Sequence, residues 1–205
     1  MIKAVFFDFD GVLTTESSGT YSMSKYLSDH LDIDLSMIFP VLKSETAEML
    51  VGRADYIELL PKVEEAIGIS IPEAMLLTAI QTVPLNKAMF ELAESIKERG
   101  VSVGVITDQS KLRGELLTKK FQLNMLFDRV IVSGSVGLSK KDSKAIFEIA
   151  VDNLELEPEE VLFIENTESN LTIPKQMGWQ TYYHDDSKND INTINKYFRR
   201  QQLID

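Results

Sequence analysis

Asp8 and Asp10 stand two residues apart where an apolar run ends, in the stretch FFDFDGVL, and together they outline a reaction centre. The run from Ala4 through Phe7 has no polar alternation, so it reads as a strand buried on both faces that delivers its carboxylates to its C-terminal edge. Gly11 lets the chain turn sharply there, and ligands of open α/β sheets sit in the crevice outside such strand ends. Read without function, the same octapeptide is a strand followed by an acidic turn.

Three more signals fall where later strands should end. Thr107 and Asp108 close VSVGVIT, where a hydroxyl and the N–H groups of a helix start suit anionic oxygens; Asp108 also suits a plain helix cap. Lys140, in GLSKKDSKAIF, is a point charge for a phosphate or for balancing carboxylates, or else a solvated surface lysine. Glu165 and Asn166 end VLFIENTESN and face the aspartate pair with oxygen donors, the kind that a hard cation such as magnesium prefers.

Elements of two textures must position these residues. From roughly Thr20 to Thr82 apolar residues recur at helical spacing, in YSMSKYLSDHL, from Met37 to Val51, in ADYIELLPKVEEAIG and in PEAMLLTAIQTV, which predicts a small helical bundle. Pro72 suits a first helical residue, while Pro40 and Pro61 should start, kink or divide helices. After Pro84 strands and helices alternate, which predicts βα units and a parallel sheet. The expected helices run from Asn86, as cap, to Arg99, then over Lys111 to Phe121, Ser143 to Leu154 and Leu171 to Met177, with a surface helix over Asp190 to Leu203. RVIVS and WQTYY are further strands. The organisation expected is an α/β core over 1–15 and 84–205, interrupted after its first strand by a helical block over 16–83. An insertion there overhangs the strand ends, as a lid that excludes water or as an independent helical domain.

Composition narrows the function classes. The 205 residues are 44% hydrophobic and 26% charged, which is ordinary for a globular protein and leaves no case for disorder. With 32 acidic and 21 basic side chains the net charge is −11, and no basic patch offsets it, so nucleic acid is not an expected partner. Zero cysteines exclude disulfides and thiolate chemistry. No apolar run approaches the ~20 residues of a membrane helix, and with a strand beginning at Ile2 no cleavable leader is expected. The expected location is therefore the cytoplasm, with no membrane partner, as a monomer or homodimer.

The order DFDGVL, helical insert, VITD, GLSKKDSKAIF and FIENTESNL resembles the haloacid dehalogenase superfamily over nearly the whole chain. The position of the insert resembles the subgroup with an α-helical cap at the first insertion point. EPEEVLFIENTESN through PKQMGWQTYYH is similar to sugar-phosphate phosphatases and to the phosphatase domain of soluble epoxide hydrolases. The resemblance implies a Rossmann-like three-layer α/β/α parallel sheet with a helical cap, and a Mg2+-dependent phosphatase for a small phosphorylated metabolite. By that likeness Asp8 is the nucleophile that becomes an aspartyl-phosphate, ionised at neutral pH without help. Asp10 protonates the leaving alcohol and then activates water. Thr107 holds a phosphoryl oxygen, with Asp108 beside it, and Lys140 adds positive charge. Asp8, the Asp10 carbonyl, Glu165 and Asn166 surround the metal.

The chain departs from the family pattern twice. Glu165 and Asn166 stand where two aspartates are usual, so the second position brings no charge to the metal, and Glu168 on the next turn is a candidate compensator. Lys141 replaces the usual proline after Lys140 and competes with it as the working lysine. In the insert, Arg53 is the one candidate clamp for a substrate phosphate or carboxylate. Tyr21, Met23 and Tyr56 either line the cavity or pack as core, and Trp179 and His184 read as structural. Asp10 separates phosphatases from dehalogenases, whose halide leaves without a proton. A phosphate-sensing or protein-binding module with weakened metal binding is the alternative from another class, and a phosphomutase, whose specific cap residues are not identifiable here, is a third.

Overall fold

The computed structural model describes residues 1–44 and 46–205. β1 (Ala4–Phe7), β2 (Ser102–Thr107), β3 (Arg129–Val132), β4 (Val161–Glu165) and β5 (Gln180–Tyr183) form one parallel sheet in the order β3-β2-β1-β4-β5. The expected strands are present, and RVIVS gives up only its final Ser133 to a short helix. β1 lies at the centre, with β2 on one side and β4 on the other, so the strand order reverses between β1 and β4. Ligands of doubly wound sheets bind at such a reversal.

The unbroken apolar character of β1 follows from burial on both faces. Val5 and Phe7 join Val103, Val105, Leu162 and Ile164 in one core cluster, while Ala4 and Phe6 join Ile106, Val161 and Phe163 in another. α6 (Lys87–Glu98) and α12 (Ile191–Arg200) cover the first face through Met89, Leu92, Ile96, Ile194 and Phe198. α10 (Ala145–Val151) and α11 (Thr172–Gln176) cover the second through Ile146, Phe147 and Ile173, giving three layers. Trp179 is structural, stacked on Phe6 with ring centroids 5.8 Å apart. His184 is buried and its Nε2 lies 3.2 Å from Asn189 Oδ1. Asn86 precedes α6 but does not cap it: its amide donates to the Val12 carbonyl at 3.0 Å and to Asn189 at 2.8 Å, tying three segments together. The expected Ser143–Leu154 helix shortens to α10, and the one after β4 starts as a tight turn over Glu168–Leu171.

Between β1 and α6 the chain forms α1 (Gly19–Leu31), α2 (Leu35–Ser44), α3 (Thr46–Leu50), α4 (Tyr56–Ile67) and α5 (Glu73–Ile80). The helix expected over Met37 to Val51 is shared between α2 and α3, and Glu45 between them lies outside the described residues. Pro40 and Pro61 sit inside α2 and α4, which continue past them, whereas Pro72 immediately precedes α5. These helices enclose a core of their own, with Met23, Leu27, Ile38, Leu42, Val63 and Leu76 fully buried. Leu112 and Leu116 of α7 (Lys111–Lys120) pack against it. Entry and exit of the insert are stitched together: Thr15 N–H donates to Pro84 O and Asn86 N–H to Leu13 O, both at 2.9 Å. Among the described residues no helix is long and apolar enough to cross a membrane.

Candidate active site

Register dictates what meets Asp8. Phe7 pairs with Ile164 across β1 and β4, and Asp8 N–H continues the ladder by donating to the Ile164 carbonyl at 2.8 Å. The next residue of each strand, Asp8 and Glu165, therefore emerges at the same sheet edge. Lys140 reaches both, with Nζ 2.8 Å from Asp8 Oδ1 and 2.6 Å from Glu165 Oε2. Asp8, Lys140 and Glu165 are all buried, with Lys140 only 1% exposed. Lys141 is exposed, as is Glu168.

Burial pushes the Asp8 carboxyl well above the usual range, and the neighbouring Glu165 charge adds to the rise against the opposing pull of Lys140. An aspartate here therefore holds its proton more tightly than a solvated carboxylate does. Burial acts the same way on Glu165, but Lys140 outweighs it and holds Glu165 below its ordinary value. Lys140 is itself raised, because the charges of Asp8 and Glu165 overcome its desolvation. The set is one cation between two carboxylates, and further positive charge at this point would favour the charged form of Asp8.

The turn after Asp8 is built around Gly11, whose φ is +77° and whose missing Cβ leaves room for the Asn166 amide. With its NH2 as donor, Asn166 bonds to the Asp10 carbonyl at 3.1 Å and to Glu165 Oε1 at 3.0 Å. Glu165 also accepts from Thr167 N–H at 2.8 Å and from the Asn170 amide at 3.2 Å, so its oxygens are tied into the protein. Among the described residues no three Asp, Glu, His or Cys side chains gather into a cage for a metal.

Asp8, Asp10, Thr107, Asp108, Lys140 and Asn166 line a single cavity of about 310 Å³, together with Ser17 ahead of α1, Gly19 and Thr20 in its first turn and Tyr56 of α4. Thr107 ends β2, and its hydroxyl accepts from the Gln109 amide at 2.9 Å, leaving its proton free to be donated. Asp108 accepts the backbone N–H of Lys140 at 3.0 Å, which fixes the loop that carries the lysine; burial raises its carboxyl. Arg53 lies apart from this cavity. It is exposed and bonded to Glu48, with Nε 2.6 Å from Oε2. Of the three insert residues considered for the lining, Tyr56 is there, Met23 is in the insert core and Tyr21 is half exposed beside Phe39.

Arg113 of α7 was not legible as a site residue. Its Nη1 and Nη2 grip Asp10 Oδ2 and Oδ1 at 2.7 and 2.9 Å, with the arginine side chain only 5% exposed. Burial would lower its affinity for a proton, but Asp10 more than restores it. The sequence signal is Gly114: α7 approaches Val132 so closely there that a Cβ would be crowded, which marks this stretch as buried rather than solvated.

The profile of the haloacid dehalogenase-like hydrolases matches residues 2–178. The chain belongs to that family. Among curated relatives of this hydrolase, the rat bifunctional epoxide hydrolase 2 is 26% identical over 216 aligned positions, covering 95% of this chain but 38% of the relative. The chain therefore spans less than two fifths of the length of that relative. Among solved structures, a predicted HAD-like family hydrolase from Porphyromonas gingivalis superposes with a TM-score of 0.73 at 19% identity, covering 97% of this chain and 98% of the other. A HAD family enzyme from Bacteroides thetaiotaomicron, solved in complex with magnesium and inorganic phosphate, superposes with a TM-score of 0.66 at 17% identity, covering 89% and 94%. These likenesses agree with the three-layer parallel fold of the hydrolase described above.

Proposed function

We propose that this hydrolase is a magnesium-dependent phosphatase that releases phosphate from a small phosphorylated metabolite, such as a sugar phosphate, through an aspartyl-phosphate on Asp8. The observation that carries the reading is the convergence of Asp8, held by Lys140 at 2.8 Å, with a second carboxylate, Asp10, in one small cavity. A halide needs no proton to leave, so the second carboxylate favours an ester over a carbon–halogen bond.

In this reading an Asp8 oxygen attacks phosphorus as the ester P–O bond breaks, and the departing alkoxide takes its proton from Asp10. Water then attacks phosphorus, returns a proton to Asp10 and frees Asp8. Thr107 donates its hydroxyl to a phosphoryl oxygen, and Glu165 keeps Lys140 aimed at Asp8. Such positioning and charge balance are what phosphoryl transfer needs from a protein. The donors fit magnesium, which takes one or two carboxylates and retains waters rather than requiring an all-protein cage. Asp8, the Asp10 carbonyl and Asn166, once its amide oxygen turns inward, would hold it. When bound, it would supply positive charge that favours the charged form of Asp8 and lets an anionic ester approach. The magnesium and phosphate held by the Bacteroides enzyme support this choice. The insert serves as a cap that keeps substrates small, and the protein works in the cytoplasm as a monomer or homodimer, without nucleic acid or membrane.

One observation favours a second reading, a phosphate-sensing or protein-binding module: Asn166 brings no charge and spends its amide on the Asp10 carbonyl. Phosphate release from a panel of sugar and nucleotide monophosphates, with and without magnesium, separates the two. Turnover that needs magnesium and vanishes in Asp8→Asn supports the phosphatase; no turnover in either protein supports the module.

A further inference from the structure

We propose that Arg113 is a specificity residue that binds a carboxylate on the leaving-group side of the substrate, so that the preferred substrates are small phosphorylated carboxylic acids. The proposal deepens the phosphatase reading and rests on it for the placement of the leaving group beside Asp10.

The cations lining the cavity are Lys43, Arg113 and Lys140. Lys140 is committed to Asp8 and Glu165, and Lys43 is an exposed side chain from α2. Arg113 is different in kind. It is buried, and it already holds a carboxylate in the two-pronged geometry for which a guanidinium is suited. Two of its N–H groups serve Asp10, and a guanidinium carries five.

The fit is built in from the other side. Gly19, the first residue of α1, lies so close that a Cβ there would collide with the Arg113 guanidinium, and its own N–H donates to Asp10 Oδ2 at 3.3 Å. The first turn of α1, in the insert, thus packs directly on this ion pair of the sheet domain.

Since Asp10 attends the ester oxygen that departs, a group one or two bonds beyond that oxygen comes to lie against Arg113. In a chain of net charge −11, an anionic group is admitted only where a cation is waiting. A substrate carboxylate there shares the guanidinium with Asp10, through the N–H groups that Asp10 does not use. A neutral group at the same place gains no such contact with the guanidinium. A cavity of about 310 Å³ has room for a molecule of a few carbons between phosphate and carboxylate.

The test uses probes that are not hydrolysed. Calorimetric titration in magnesium chloride compares phosphonoacetate with phosphonoacetamide, which has the same shape without the second charge, on wild type, Arg113→Met, Arg113→Lys and Asp10→Asn. We expect phosphonoacetate to bind at least tenfold tighter to wild type. That ratio should fall within twofold of unity in Arg113→Met, be partly kept in Arg113→Lys, and grow in Asp10→Asn, where the carboxylate sharing the guanidinium is gone. Equal binding of the two probes to wild type, no binding of either, or a ratio that survives Arg113→Met overturns the proposal. Tighter binding of methylenediphosphonate than of phosphonoacetate overturns the choice of a carboxylate. Thermal unfolding checks that each variant is folded, and Asp10→Asn keeps the test alive if Arg113→Met is not. Magnesium-dependent release from p-nitrophenyl phosphate, with Asp8→Asn as blank, reads the phosphatase assignment separately, so the two can fail independently.

Discussion

Replacing Lys140 by methionine tests whether the buried charge triad is organised as described. The lysine is 1% exposed and lies 2.8 Å from Asp8 and 2.6 Å from Glu165. Its removal leaves two carboxylates facing each other with no cation, and breaking a buried pair in this way costs about 3–5 kcal/mol. For a chain of this size that is a fall in Tm of roughly 6–20 °C, at about 2–4 °C per kcal/mol. The loss depends on pH in a fixed direction. Lys140 is raised above its ordinary value, so its contribution in wild type is complete below about pH 10 and does not change between pH 5 and 7.5. Asp8, raised by burial, binds a proton more tightly folded than unfolded, so it lends stability in acid that fades as pH climbs through its folded value. In Lys140→Met both carboxylates lose the cation that favoured their charged forms, so acid relieves the repulsion between them. Urea denaturation at pH 7.5 and pH 5, without magnesium, should show the full deficit at the higher pH and less than half of it at the lower. A deficit under ~1 kcal/mol at pH 7.5, or one equal at both pH values, refutes the triad.

Asn166→Asp should raise magnesium affinity by roughly tenfold, since a carboxylate replaces a neutral amide at a hard-cation site; magnesium titration followed by calorimetry measures it, and unchanged affinity removes position 166 from the ligand set. Gly11→Ala places a Cβ against the Asn166 amide at φ +77°, and should cost over ~2 kcal/mol in denaturant titration together with most of the turnover. Arg53→Ala should leave Tm unchanged and kcat/KM within about twofold, because both it and its partner Glu48 are exposed.

The parts of the fold that rest on periodicity and on strand ends were legible in the sequence. The five strands stand where apolar runs meet turn residues, and the aspartates after β1 fall at the edge where the strand order reverses. Helix ends were less legible. Asn86 looks like a cap but bridges Val12 and Asn189, segments far away in sequence. Lys140 and Lys141 are equivalent as letters, and only the path of the loop, pinned by Asp108 on the Lys140 backbone, buries one and exposes the other. Arg53 and Arg113 show the same limit more sharply. One arginine follows a glycine near the end of a short helix and meets solvent, while the other, on a helix rich in charges, folds inward onto Asp10. Charge type is written in the sequence, but its neighbour comes from packing between elements distant along the chain.

The central claim is that phosphate passes through a covalent bond to Asp8. Acid quenching during turnover of a labelled phosphate ester with magnesium, followed by peptide mapping, tests it most directly. The label is predicted on the peptide carrying Asp8, appearing before free phosphate and absent from Asp8→Asn. Phosphate release that proceeds undiminished in Asp8→Asn, or label on any other residue, would contradict the account.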